Sequence, residues 1–480
     1  MPRPNADARF VWLLVWLVAL TVRLCAAFIL PNAEQDGYSY VETIAAWSAK
    51  ISSGNFRIID LFGFWLPLFQ FSAAILNLVI HDPLLSGKIV SALAGSTTCV
   101  LVFALTKRLT QSTPLAVVAF ALVLLNPLHL LYSAAAMTDV PFGCLSLATI
   151  WFALRDRWIA AVICAALAEF LRLEAWVFVV VLPLLQFIFH RRVSLMTMSI
   201  LLVPPLVWFG ISHQATGDPF AYFAKRVAYQ NNVLDFYPTR RGFAFADVAE
   251  DLDYFLLGAN PIIFATIFIT ATMSILRAAH RSREIIAVSL CTAALLAFFA
   301  LAYVTKRQPV LLPRYGLVFF TLGLPLFAWL LKILRRPIAA VALVFLLYGF
   351  VRQFPNIPKV ISDQRAQQRI ATALVDRIGD SRCFADDPAV RVLSRLPADH
   401  FLRSEATPAS ATGDATAFAA YLREQRADYL VFIRTEDSLP VKFFPQLGRD
   451  DKIDIDLFEF IAVERSPFGP DIWLYRLRNG

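Results

Sequence analysis

An acidic, tyrosine-flanked turn, Pro31-Asn-Ala-Glu-Gln-Asp-Gly-Tyr-Ser-Tyr40, begins where the first apolar run of the chain ends. A carboxylate at Asp36, held at the end of a membrane span, can take the proton of an acceptor hydroxyl or help to hold a cation. Glu34, Tyr38 and Tyr40 stand beside it as supports of the loop or of an acceptor. A helix over about 38–50, with Tyr40, Ile44 and Trp47 on one face, would lie in the interface and fix the turn there. The plainer reading makes Asp36 a helix N-cap and the tyrosines interfacial anchors.

Three further clusters carry charge. Met137-Thr-Asp-Val-Pro-Phe142 opens an apolar run, and Asp139 with Pro141 suits a helix start; on the face of Asp36, Asp139 would be a second carboxylate for general-base or metal-assisted work. In Glu169-Phe-Leu-Arg-Leu-Glu174, Arg172 at membrane depth needs a partner, and Glu169 three residues earlier is the natural one. The alternative makes Arg172 a clamp for a phosphate, whose oxygens match the planar guanidinium donors. Lys306-Arg-Gln-Pro-Val-Leu-Leu-Pro-Arg-Tyr315 sets Lys306, Arg307 and Arg314 on the outer side, against the positive-inside trend. That suggests an anionic ligand such as a lipid phosphate, or ordinary headgroup contacts. Lys225 and Arg226 belong to an aromatic outer loop, and His129 reads as a structural histidine.

The elements that must position these residues are apolar helices. The 480 residues are 58% hydrophobic and 17% charged, against roughly 25% charged in soluble domains, so the chain is a polytopic α-helical membrane protein. The net charge of +8 resides mainly in short loops beside apolar runs, which excludes nucleic acid as the partner and makes membrane lipid the surroundings. The six cysteines stand singly, with no CxxC or CxxH pair, so neither a disulfide framework nor a zinc site is expected. No oxygen-ligand cage stands out, which leaves metal use open, a divalent cation included.

Apolar runs at 10–30, 87–106, 114–132, 138–154, 158–171, 174–190, 196–213, 259–276, 284–304, 311–333 and 338–353 give about 11 transmembrane helices. Lys107/Arg108, Arg155/Arg157, Arg191/Arg192, Arg277/Arg281/Arg283 and Lys332/Arg335/Arg336 fall in every second loop and mark the cytoplasmic side. Parity favours 65–82 lying in the outer interface or re-entering, with a short spanning helix as the alternative. The N-terminus is cytoplasmic; loops 31–64 and 214–258 and the tail are extracytoplasmic. Residues 1–353 form the transmembrane domain. Residues 354–480, after a linker marked by Pro355 and Pro358, form a small C-terminal α/β domain with helices near 362–378 and 415–426 and strands at 428–433, 456–464 and 471–478.

The order of parts is a first span, an acidic outer loop, Asn126-Pro-Leu-His-Leu, Ala136-Met-Thr-Asp139, Leu171-Arg-Leu-Glu174, Pro313-Arg-Tyr315 and a terminal outer domain. It resembles the membrane-embedded GT-C glycosyltransferases, in particular bacterial relatives of the protein O-mannosyltransferase and aminoarabinose-transferase families (glycosyltransferase family 39-like). The similarity covers roughly residues 8–335. The resemblance implies a polyprenyl-phosphate sugar as donor and transfer of a hexosyl or pentosyl group to an acceptor on the outer face, with inversion, in a bacterial inner membrane. It assigns Asp36 as the acidic residue of the first outer loop and Asp139 as the one opening a later span. Many relatives have Asp-Glu where this chain has Asp36-Gly37, which makes Glu34 a candidate helper. Competing readings are a transporter or flippase of lipid-linked sugars, and a non-catalytic protein that binds a partner through its tail.

Overall fold

A computed structural model describes residues 6–236, 242–276, 282–308, 310–404, 407–408, 414–434, 438–449, 457–465 and 471–478. Arg277 and Arg281 of the basic loops lie outside the described residues. The chain divides into two compact units, one of Met1–Leu30 and Thr43–Phe354, the other of Pro31–Glu42 and Pro355–Gly480.

The first unit is helical. After α1 (Ala6–Ile29) and α2 (Gln35–Ser52) come α3 (Leu68–Ile80), α4 (Pro83–Thr110), α5 (Thr113–Leu125), α6 (Pro127–Ser133), α7 (Asp139–Leu154) and α8 (Trp158–Glu169). A 3-10 turn, Leu173–Val177, leads to α9 (Phe178–His190), α10 (Leu195–Thr216), α11 (Ala221–Phe236) and α12 (Phe245–Ala259). The unit closes with α13 (Pro261–Leu276), α14 (Arg283–Val304), α15 (Pro313–Ile333) and α16 (Arg336–Gln353).

Among the described residues seven helices are long and apolar enough to cross a membrane, or up to nine if each of two bent pairs is one span. One bent pair is α5 and α6, at 63°. Asn126 ends α5 and caps α6, its side chain accepting from the His129 amide at 2.7 Å, and Pro127 cannot continue the α5 ladder. The apolar run at 114–132 is therefore broken where Asn-Pro stands. The other pair is α12 and α13, at 86°; Asn260 sits at the corner with φ 60° and ties it to α16 through a 3.0 Å bond from Nδ2 to the Leu346 carbonyl. The runs at 138–154 and 158–171 form the shorter helices α7 and α8, and α3 has 13 residues. At 1.5 Å per residue α3 is about 20 Å long, against about 30 Å of hydrocarbon.

Helices α4 and α15 are the most enclosed spans. Helix α12 runs so close to the start of α15 that a side chain at Gly258 would collide with the Pro313 carbonyl, and one at Gly316 with the α12 backbone. Two glycines thus set the approach that seats the first turn of α15. At one end of the unit, Arg108 meets Glu284 (2.8 Å), Arg283 meets Asp156 (2.7 Å) and Lys332 Nζ donates to the Thr110 carbonyl (2.7 Å). Arg283 holds the Asp156 carboxyl below its usual range. These contacts bring the segments that carry Arg108, Arg283 and Lys332 to one end of the helices.

The second unit contains a five-stranded sheet, β1 (Arg382–Ala385), β2 (Phe401–Leu402), β3 (Ala427–Ile433), β4 (Phe458–Glu464) and β5 (Ile472–Leu477), in the order β2-β1-β3-β5-β4. Strand β1 is parallel to β2 and β3; β5 is antiparallel to β3 and β4. Alternation of side chains across the pleat sends Phe384, Leu430 and Phe432 into one core and Cys383, Ala385, Tyr429 and Val431 into the other. The second core is shared with Ile370 and Leu374 of α17 (Asn356–Ile378). Helices α18 (Pro388–Ser394), α19 (Ala415–Glu424) and α20 (Leu439–Phe443) complete the unit. Pro355 and Pro358 mark no extended linker: α17 starts at Asn356 and takes Pro358 into its first turn, where the missing amide costs no helical bond.

Candidate functional site

In the first unit, three of the residues singled out from the sequence line one recess. Asp139 is the first residue of α7 but does not cap it: Thr138 holds the N-cap position, and the Asp139 carboxylate turns to Arg172, with Oδ1 2.5 Å from Nη1. Its Oδ2 is buried and has no hydrogen-bond partner among the described residues. Arg172 leaves the end of α8 in extended geometry (φ −148°, ψ 143°). It donates through Nη2 to Glu174 Oε1 at 2.8 Å and through Nη1 to Thr138 Oγ1 at 3.4 Å, and lies 5.3 Å from the centroid of the Tyr315 ring. Two carboxylates and an aromatic face hold this guanidinium where a lone charge would be costly.

Glu169 is not the partner of Arg172. An i,i+3 pair needs the helix to continue, whereas α8 ends at Glu169 and the next three residues turn away. Glu169 is left fully buried, its two carboxylate oxygens without hydrogen-bond partners among the described residues. Arg314, in the first turn of α15, is buried and lines the same recess with Asp139, Phe142, Arg172, Phe299 and Tyr315. The volume is ≈ 10 Å³, room for about one water. Asp139 and Arg314 start their helices here, and both helices end at the basic-loop end of the unit, so the recess lies at the opposite end.

The cationic cluster at 306–314 is split. Lys306 donates to the Gly242 carbonyl at 2.8 Å and sits 3.6 Å from the centroid of the Phe243 ring; Arg307 is exposed. Neither lines the recess. The sequence gives Glu174 no role and places Arg226 only in an aromatic outer loop, read as a site cover or an interfacial helix. Arg226, on α11, reaches the Tyr222 hydroxyl at 3.3 Å and acts electrostatically on Glu174. Lys88 was also missed: buried near the start of α4, it donates to the Ala27 and Leu30 carbonyls at 3.0 and 2.7 Å and so closes the end of α1. The signal was available, since a lysine inside an apolar run needs acceptors. His129 is buried, with Arg23 Nη2 3.1 Å from its Nδ1.

The acidic turn belongs to the second unit as far as Glu42. Asp36 lies in the first turn of α2, half-buried, where the helix dipole favours a carboxylate. Glu34 just before it has φ 66°. Tyr38 is 2% exposed, and burial, with the Asp387 carboxylate second, pushes its hydroxyl above the ordinary range. Tyr40, Ile44 and Trp47, read as a membrane-facing stripe, are instead buried in protein. Glu34 and Tyr38 line a cavity of ≈ 100 Å³ with Asp363 and Gln367 of α17, Ile433 and Ile472. Among the described residues no group of three or more His, Cys, Asp or Glu side chains is placed to hold a metal ion.

A family model for dolichyl-phosphate-mannose-protein mannosyltransferase matches residues 58–159, a stretch that contains Asp139 but none of Asp36, Arg172 and Arg314. The fold is similar to the crystal structure of ArnT from Cupriavidus metallidurans bound to undecaprenyl phosphate, with TM-score 0.62 and 14% identity over 98% of each chain. The apo structure of ArnT from the same organism gives 0.61 and 13%, over 97% of this chain and 98% of that one. No curated protein matches the sequence. The chain thus has the GT-C architecture, and it resembles the protein mannosyltransferase and aminoarabinose-transferase group through a sequence match over 58–159 and a fold match over nearly its whole length.

Proposed function

We propose that the chain is a glycosyltransferase that moves a hexosyl or pentosyl group from a polyprenyl-phosphate donor to an acceptor on the extracytoplasmic face of a bacterial inner membrane, with inversion and with Asp36 as base. The observation that carries this reading is the recess lined by the part-buried Arg172 and the buried Arg314 together with Asp139, in a fold whose solved relative is bound to undecaprenyl phosphate. The donor phosphate docks at the two guanidinium groups, which stabilise the charge that grows on it as it leaves. A volume of ≈ 10 Å³ admits no phosphate, so these side chains swing apart when the lipid enters.

In the transfer step the acceptor oxygen forms its bond to the anomeric carbon while the bond from that carbon to the phosphate oxygen breaks, its electron pair leaving with the phosphate. Asp36 takes the acceptor proton. Asp139, engaged by Arg172, serves as counter-ion and keeps the guanidinium in place. Glu34, Tyr38 and Tyr40 hold the turn that carries Asp36. The N-terminus is cytoplasmic, the basic ends of the helices face the same compartment, and the second unit is extracytoplasmic.

The test reconstitutes the purified protein in liposomes with labelled polyprenyl-phosphate sugars and candidate acceptors. The expected result is a glycosylated acceptor of inverted anomeric configuration. Movement of the labelled lipid across the bilayer without product would mark a flippase instead.

A further inference from the structure

Helix α2 bears a second carboxylate six residues beyond Asp36. Glu42 receives both edge donors of Arg391 on α18, Nε at 2.7 Å and Nη2 at 2.9 Å, and Arg403 adds a third contact at 3.1 Å. Arg391 is 8% exposed, and its remaining nitrogen, Nη1, donates to the Ala385 carbonyl at the end of β1 at 2.6 Å. One guanidinium therefore joins the sheet to α2. Four residues earlier on each side stand Tyr38 and Asp387, since Tyr38 precedes Glu42 as Asp387 precedes Arg391, and the Asp387 carboxylate acts electrostatically on the Tyr38 hydroxyl. Asp387 is itself fixed as the cap of α18, accepting from the amides of Ala389 (2.7 Å) and Val390 (3.3 Å). Side chains four apart share a helix face, so these residues form a seam along the first turns of α2.

An enclosed ion pair adds little net stability, because desolvation offsets its attraction. What a bidentate pair fixes is distance and plane. Six residues of helix span about 9 Å, so a rotation of α2 about this seam displaces Asp36, and a misplacement of about 1 Å can cost about a hundredfold in rate.

We propose that Glu42 and Arg391 are positioning residues: their ion pair sets the placement of the first turns of α2, those of the second unit, and, through them, of the Asp36 carboxylate. The inference rests on the reading of Asp36 as base. It makes the C-terminal domain a working part of the reaction, although it supplies no group that touches the substrates.

Hydrogen exchange and steady-state transfer, measured on the full purified chain, test it with Arg391→Gln, Arg391→Lys, Glu42→Gln and Asp36→Asn. In Arg391→Gln and Glu42→Gln, exchange at 36–42 should speed about tenfold while β3 and β5 keep their protection. In both, kcat should fall about tenfold or more with the KM for the lipid donor changed less than about twofold. Arg391→Lys, which keeps the charge but not the fork, should retain an intermediate kcat. Unchanged exchange at 36–42, unchanged kcat, or loss of protection throughout the sheet would overturn the role of the pair alone. A folded Asp36→Asn chain with full turnover would overturn the base assignment and the positioning role with it.

Discussion

Arg172 and Asp139, 33 residues apart in sequence, form a part-buried contact of 2.5 Å at the end of the helices opposite the basic loops, with 13% and 3% of their side chains exposed. A carboxylate so engaged is tied to its guanidinium before any substrate arrives, which separates the role of Asp139 from that of Asp36.

Removal of one partner should be costly. Asp139→Ala leaves the Arg172 charge with Glu174 as its remaining carboxylate, and the expected loss of stability is about 3 kcal/mol, read as a lower thermal midpoint of the purified protein in detergent. Glu169→Gln, which touches no partner of Arg172, should leave the Arg172 contacts intact and shift the midpoint much less. Equal shifts would mean that Glu169 supports Arg172 after all.

The split of the 306–314 cluster gives a contrast in lipid binding. Arg314→Ala should weaken the binding of undecaprenyl phosphate to the purified chain about tenfold, the loss of roughly one charge-assisted hydrogen bond. Arg307→Ala, on an exposed turn outside the recess, should stay within about twofold on the same scale. Binding by native mass spectrometry or a fluorescent lipid probe decides it, and the opposite order would move the phosphate site to the turn at 306–307.

Sidedness follows from the gathered basic ends. In intact cells or sealed right-side-out vesicles, a cysteine at the exposed Arg423 of α19 should react with a membrane-impermeant reagent, and one at the exposed Arg157 should react only after permeabilisation. The reverse pattern would invert the topology.

Much of the architecture is legible in the order of residues, because apolar run length and basic loop ends are local signals. They place Asp139, Arg172 and Arg314 at the same end of the apolar runs. The pairing is less legible. The i,i+3 rule joins Glu169 to Arg172 only if α8 continues, and one 3-10 turn hands the partnership to Asp139 and Glu174. Strands β1 and β2 have four and two residues, too few to show a period of two. Tyr40, Ile44 and Trp47 lie at helical spacing whether the apolar face meets lipid or protein, so the pattern could not reveal that protein covers it. Glu42 and Arg391 are 349 residues apart, and nothing local announces their contact.

The central claim is that Asp36 deprotonates the acceptor. Transfer from a labelled polyprenyl-phosphate sugar, by wild-type and Asp36→Asn protein of equal thermal midpoint and equal undecaprenyl-phosphate affinity, tests it most directly. The expected result is a fall in kcat of about a hundredfold or more, the usual worth of a positioned general base, with lipid affinity retained. Undiminished transfer by the folded Asp36→Asn protein would contradict it.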